Sequence, residues 1–158
     1  MTADTIARSV THASFTITRR WKAAPARVFA AFADQTQKDK WFGGVKGEWE
    51  PVSRSFDFRV GGRENVSGRW KKSGVVSRFD CIYQDIVENE RIIYSYVMHL
   101  DDRKISVSQQ CIEITPDGAG SKLVLTEYGD YLDGYDDNGS REHGTNMLMD
   151  HLAASIGE

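Results

Sequence analysis

The stretch FDCIYQDIVENERIIYSYVMHLDDRKISVSQQCIEI, residues 79–114, decides how this chain folds. It contains three runs rich in β-branched, aromatic and aliphatic residues, over 79–87, 91–100 and 105–114, and each predicts a long strand. The runs are joined by Glu88-Asn89-Glu90 and by Asp101-Asp102. Parallel strands need a crossover of a dozen residues or more, so such short joins predict antiparallel neighbours. An antiparallel sheet with one apolar face needs a second layer to cover that face.

The same texture extends on both sides, from Val45 to Tyr131. Phe56, Phe58 and Val60 alternate before Gly61-Gly62, which predicts a tight hairpin with a return strand over 66–70. Lys71-Lys72-Ser73-Gly74 and Pro116-Asp117-Gly118 read as turns, and 122–128 as the last strand. Near the start, Phe15, Ile17, Arg19 and Trp21 alternate with Ser14, Thr16, Thr18 and Arg20. That is a half-buried strand carrying one charge on its apolar face. Pro25 is suited to the first position of a helix that presents Val28, Phe29 and Phe32. A second short helix is predicted over 37–42, ending at Gly43-Gly44. Thr145, Leu148, Met149, Leu152 and Ile156 fall on one face of a long C-terminal helix, with Asn138 or Ser140 as its cap. Residues 1–13 show no periodicity and are expected to be a flexible tail, leaving 14–158 as a single domain. The predicted class is α+β: a curved antiparallel sheet of about six to seven strands wrapped on the C-terminal helix, with two short helices after the first strand.

Composition excludes several functions. The 158 residues carry 20 Lys and Arg against 23 Asp and Glu, a net charge of −3, which is unlike a nucleic-acid-binding domain. No apolar run is long enough to span a membrane. The first dozen residues lack the apolar segment of a signal peptide. Cys81 and Cys111 are too few for a disulfide scaffold, and a reducing, cytoplasmic setting with both thiols free is expected.

Three segments carry a resemblance: Phe15-Thr-Ile-Thr-Arg-Arg-Trp21, Ala24-Pro25-Ala-Arg-Val28-Phe29 and Lys40-Trp41-Phe42-Gly43. Together they resemble the opening of helix-grip (START-like, SRPBCC) proteins. More narrowly, the chain is similar to the domain family named for heat shock protein 90 ATPase activator homologues. Phe56-Asp-Phe-Arg-Val-Gly-Gly-Arg63, the segment 83–94 and Gly120-Ser-Lys-Leu-Val-Leu-Thr-Glu127 continue the likeness, which spans about residues 14–156. The resemblance implies a helix-grip fold with a cavity between sheet and last helix. It also implies a chaperone as a partner, although no chaperone-contacting motif is visible. One departure is that Gly144 is followed by Thr145 where the family often has an aromatic. This implies a larger or more polar cavity there.

The residues expected around that cavity are Arg19, Trp41, Phe42, Phe56, Phe58, Trp70, Tyr83, Tyr94, Tyr96, Glu127, Leu148 and Leu152. Aromatic side chains with a few polar groups are what a pocket for a small apolar ligand needs, although most aromatics simply fill cores. Arg19 and Glu127 each continue an apolar alternation, and the family's topology makes the first and last strands neighbours. The two are expected either to form a structural ion pair or to give the pocket an anchor for an acidic ligand. A strand-end charge reaching solvent is the third option for Arg19. His143 and His151 are too far apart along a helix to share a metal, and His99 alone is placed for general-base work. The acidic loop over 130–139 does not match a calcium loop and reads as solvation and helix-dipole complementarity. No nucleophile elbow or phosphate loop exists. No catalytic residue, metal or cofactor is therefore expected. The favoured function is non-enzymatic binding of a small apolar or amphipathic molecule. The alternatives are a cyclase- or hydrolase-like enzyme of the same superfamily acting on a hydrophobic substrate, and a chaperone-interacting module.

Overall fold

The computed structural model describes residues 7–158. Seven strands form one antiparallel sheet: β1 (Val10–Trp21), β2 (Trp49–Phe56), β3 (Arg63–Trp70), β4 (Val76–Val87), β5 (Arg91–Leu100), β6 (Arg103–Asp117) and β7 (Gly120–Leu132). Their order across the sheet is β1-β7-β6-β5-β4-β3-β2, so the first two strands form opposite edges. Two short helices, α1 (Pro25–Ala33) and α2 (Gln35–Lys38), connect those edges, and α3 (Asn138–Ser155) closes the chain. The hairpins of the central sheet turn through Asn89, Asp101 and Gly118, all at positive φ, as tight reversals require. This is the predicted α+β, helix-grip arrangement.

One face of the sheet is apolar. Phe15 and Ile17 of β1, Ile112 and Ile114 of β6, and Leu123 and Leu125 of β7 are all buried. Met149 and Leu152 of α3, and Val28 and Phe32 of α1, are buried in the same core cluster.

Four local expectations are corrected. Val10 to Ala13 are strand rather than tail: Val10 pairs with Leu132 and Ala13 with Gly129, and Arg8 reaches Asp133 at 2.9 Å. Of the rest of the expected tail, residues 1–6 lie outside the described residues. The second helix starts earlier than predicted, because the Asp34 carboxylate accepts from the Gln37 N–H and caps it. The tight hairpin at Gly61-Gly62 is instead a wider loop. Phe56 ends β2, and the loop folds back on β4, with Gly61 N–H donating to the Tyr83 carbonyl and Tyr83 N–H to that of Gly62. Finally, Asp137 caps α3 rather than Asn138 or Ser140, accepting from the Ser140 N–H at 2.8 Å.

Candidate functional site

A cleft of about 430 Å³ opens between the apolar face of the sheet and α3, with the segment after α2 forming its rim. The sheet contributes Val66, Trp70, Phe79 and Tyr94 to its walls, and the helix contributes Leu148 and Met149. Trp41 is anchored by its indole N–H, which donates to the Ala31 carbonyl at 2.9 Å, while Phe42 packs edge-on against Phe79. Trp49 lies between two glycines. A Cβ on Gly44 would fall 2.1 Å from its ring, and one on Gly68 would fall 2.0 Å away. Both positions therefore require glycine for this indole to lie where it does. Gly144 faces open space, and with Thr145 it lines the cleft where the family pattern would put an aromatic.

The cleft narrows onto a polar end built from β5, β6, β7 and α3. Gln110 continues the inward alternation of Ile112 and Ile114. Its Nε2 donates to Glu127 Oε1 at 2.9 Å, and its Oε1 accepts from the Tyr94 hydroxyl. Tyr96 donates to Glu127 Oε2 at 2.8 Å and accepts from Arg141 Nη1 at 2.8 Å. Arg141 also donates to Ser106 and to Asp136, at 2.7 Å and 2.9 Å. Gln110 and Tyr96 donate to the Glu127 carboxylate and Arg141 lies 3.7 Å from it, yet burial outweighs them and holds the Glu127 pKa above the usual carboxylate value. Burial, together with the Glu127 charge, also raises the Tyr96 hydroxyl.

Of the residues predicted from sequence, Trp41, Phe42, Trp70, Tyr94, Tyr96 and Leu148 line the cleft. Glu127 and Leu152 are fully buried beneath it. Phe56, Phe58 and Tyr83 lie elsewhere. Phe58 stacks on Phe56 and meets Tyr83 edge-on, beside a buried ion pair between Lys38 and Glu64.

Arg19 is on the inner side of β1 as expected, but it does not meet Glu127. The register sets Arg19 opposite Leu123 and Phe15 opposite Glu127. Arg19 instead reaches α3, donating to Asp150 at 2.7 Å and to Asn146 at 3.0 Å. His99, on β5, lies beside Arg78, and burial lowers its pKa. The acids of the 130–139 loop have separate tasks: Asp130 meets His12, Asp133 meets Arg8, Asp136 meets Arg141, and Asp137 caps α3.

Sequence reading missed Arg141 and Gln110. The signal for Arg141 was present, since it extends the stripe of Thr145, Met149 and Leu152 by one turn toward the N-terminus.

A curved antiparallel sheet gripping one long helix over an inner cleft defines a helix-grip, START-like protein. The chain belongs to the family described as Activator of Hsp90 ATPase homolog 1-like protein, whose pattern matches residues 22–157. It is similar to the Mll3558 protein of Rhizobium loti, with 41% identity and a TM-score of 0.85, over 93% of this chain and 99% of that one. An uncharacterized protein from Rhizobium leguminosarum is 39% identical with a TM-score of 0.89, over 95% and 97% of the two chains. An AHSA1-like protein from Aeromonas hydrophila shares the fold at 15% identity and a TM-score of 0.68, over 91% and 92%. No curated protein matches the chain. No described helix is long and apolar enough to cross a membrane.

Proposed function

We propose that this chain is a non-enzymatic binding protein that holds a small apolar or amphipathic molecule in the cleft between sheet and α3. The observation that carries the reading is the cleft itself, whose aromatic and aliphatic walls converge on Arg141, Tyr96 and Gln110. Apolar walls with a few convergent polar groups are the usual form of a small-molecule site. A catalytic role is disfavoured by the same network. Both oxygens of Glu127 accept from protein donors, and burial pushes the Tyr94 and Tyr96 hydroxyls up, away from proton transfer near neutral pH. Cys81 and Cys111 are free thiols, which fits a cytoplasmic setting.

Native mass spectrometry after incubation with cell extract tests the reading. The wild type is expected to retain a small molecule one-to-one, and Leu148→Trp, which fills the cleft, is expected to lose it. No retention, or equal retention by Leu148→Trp, overturns the proposal. Release of a chemically altered molecule would establish catalysis instead. The family description also points to a chaperone partner, and an added purified chaperone would appear in the same spectra as a protein complex.

A further inference from the structure

The cleft's only Lys or Arg among the described lining residues is Arg141, and its charge is already balanced. The guanidinium lies 2.9 Å from Asp136 and 3.7 Å from Glu127, so two carboxylates face one cation. A ligand carboxylate would be a third anion at this partly desolvated site, where like charges repel far more than in water. A ligand amine would set a second cation beside Arg141, while both neighbouring carboxylates already accept from protein donors.

Donors remain, however. The terminal N–H groups of Arg141 go to Tyr96, Ser108, Ser106 and Asp136, which leaves its Nε–H without an acceptor among the described residues. Gln110 Nε2 gives one hydrogen to Glu127, and its second has no acceptor among the described residues. A carbonyl oxygen has two lone pairs and no charge, so it suits such donors without disturbing the balance around Arg141.

We propose that the cleft takes a neutral molecule with an accepting head, such as a ketone or ester carbonyl on an apolar body, in preference to a carboxylic acid or an amine. This rests on the binding role proposed above. It also replaces the acidic ligand that an unpaired arginine would have implied.

Four probes on one aromatic skeleton test the choice of head: methyl naphthyl ketone, ethylnaphthalene, naphthoate and naphthylmethylamine, titrated calorimetrically into the full chain at neutral pH. The ketone is expected to bind about tenfold tighter than naphthoate or the amine, and about fivefold tighter than ethylnaphthalene. Asp136→Asn removes one of the two anions facing Arg141, so the preference for ketone over naphthoate is expected to fall about fivefold. Naphthoate or the amine matching the ketone would overturn the head-group proposal while leaving cleft binding intact. An unchanged preference in Asp136→Asn would overturn the charge argument. Failure of all four probes to bind would overturn the binding role, and this proposal with it.

Discussion

Glu64 and Glu127 both stand on the concave face of the sheet, and neither side chain has any exposed surface. Their surroundings differ in kind. Glu64 is held by charge: Lys38 Nζ lies 2.6 Å from one oxygen, and Arg54 Nη1 lies 2.8 Å from the other, off the line of a hydrogen bond. Tyr83 also donates to it. The Lys38 ammonium is packed over the ring of Phe42, 4.4 Å from its centroid, with Phe56 and Tyr83 nearby. That cluster is closed, and it ties α2 to the β2–β3 hairpin. Burial and the Glu64 charge push the Tyr83 hydroxyl up, and the neighbouring Cys81 thiol is raised to about 12.

Glu127 is held by neutral donors, with its one cation at 3.7 Å and shared with Asp136. Its partners Tyr96, Gln110 and Arg141 are the very residues that line the cleft. A buried carboxylate thus serves as a lock where cations meet it directly. Where neutral groups stand between it and the solvent side, it orients a polar floor instead.

Breaking the closed cluster has the largest expected effect. Lys38→Met removes one of the two cations on Glu64 and leaves a buried carboxylate under-compensated, which should cost about 3–5 kcal/mol in denaturant unfolding. Changing Glu64→Leu in the same chain should recover much of that loss, because the pair is then replaced by apolar volume. A loss below about 1 kcal/mol in Lys38→Met would mean that Arg54 alone suffices, and the contrast with Glu127 would weaken.

The second test uses pH. Since the folded state raises the Glu127 pKa, the folded protein holds that proton more tightly than the unfolded chain does. The stability this contributes is complete below about 4.5, the ordinary value, and is lost as pH rises through the raised folded value. Glu127→Gln cannot titrate, so its stability deficit relative to wild type should shrink as pH rises from 4.5 toward neutrality. Denaturant midpoints measured across that range check the sign. A deficit that grows with pH would show that the donors, and not burial, dominate this carboxylate.

The smallest effect is expected at Arg19. Its ion pair is with Asp150, whose side chain is 68% exposed, so Arg19→Met should change stability by less than about 1 kcal/mol. A loss of about 3 kcal/mol or more would place Arg19 in the buried-charge class with Lys38.

The element order, the antiparallel pairing and the covering helix were all legible in the sequence. Alternation and short turns are local signals, and the runs over 79–114 carry them strongly. The site was legible in part. The aromatic walls followed from inward alternation, as at Tyr94 and Tyr96. The polar end did not, because it depends on register between strands far apart in the chain. Nothing local says that Arg19 faces Leu123 while Glu127 faces Phe15. Arg141 was hidden for another reason. A charged residue near the start of a helix normally reads as solvated, and only the placement of α3 against β5 and β6 turns it inward. Phe56 and Phe58 misled because their period-two spacing is also what a loop shows when it folds both rings onto one side.

The edge position of β1 also bears on how the molecule assembles. Among the described residues its one strand partner is β7, with Val10 beside Leu132 and Trp21 beside Ser121. On a ribosome, β1 emerges before every other strand of this sheet, yet it has no edge to join until β7 has been made. Strands β2 to β7 can zip up as successive hairpins from local contacts. Capture of β1 must then close the longest loop between paired strands of the sheet, the kind of long-range contact that slows folding most. Until that closure, the apolar side of β1 and the matching margin of β7 stay open to other chains, and the late docking of this strand is the interval in which a folding helper would matter.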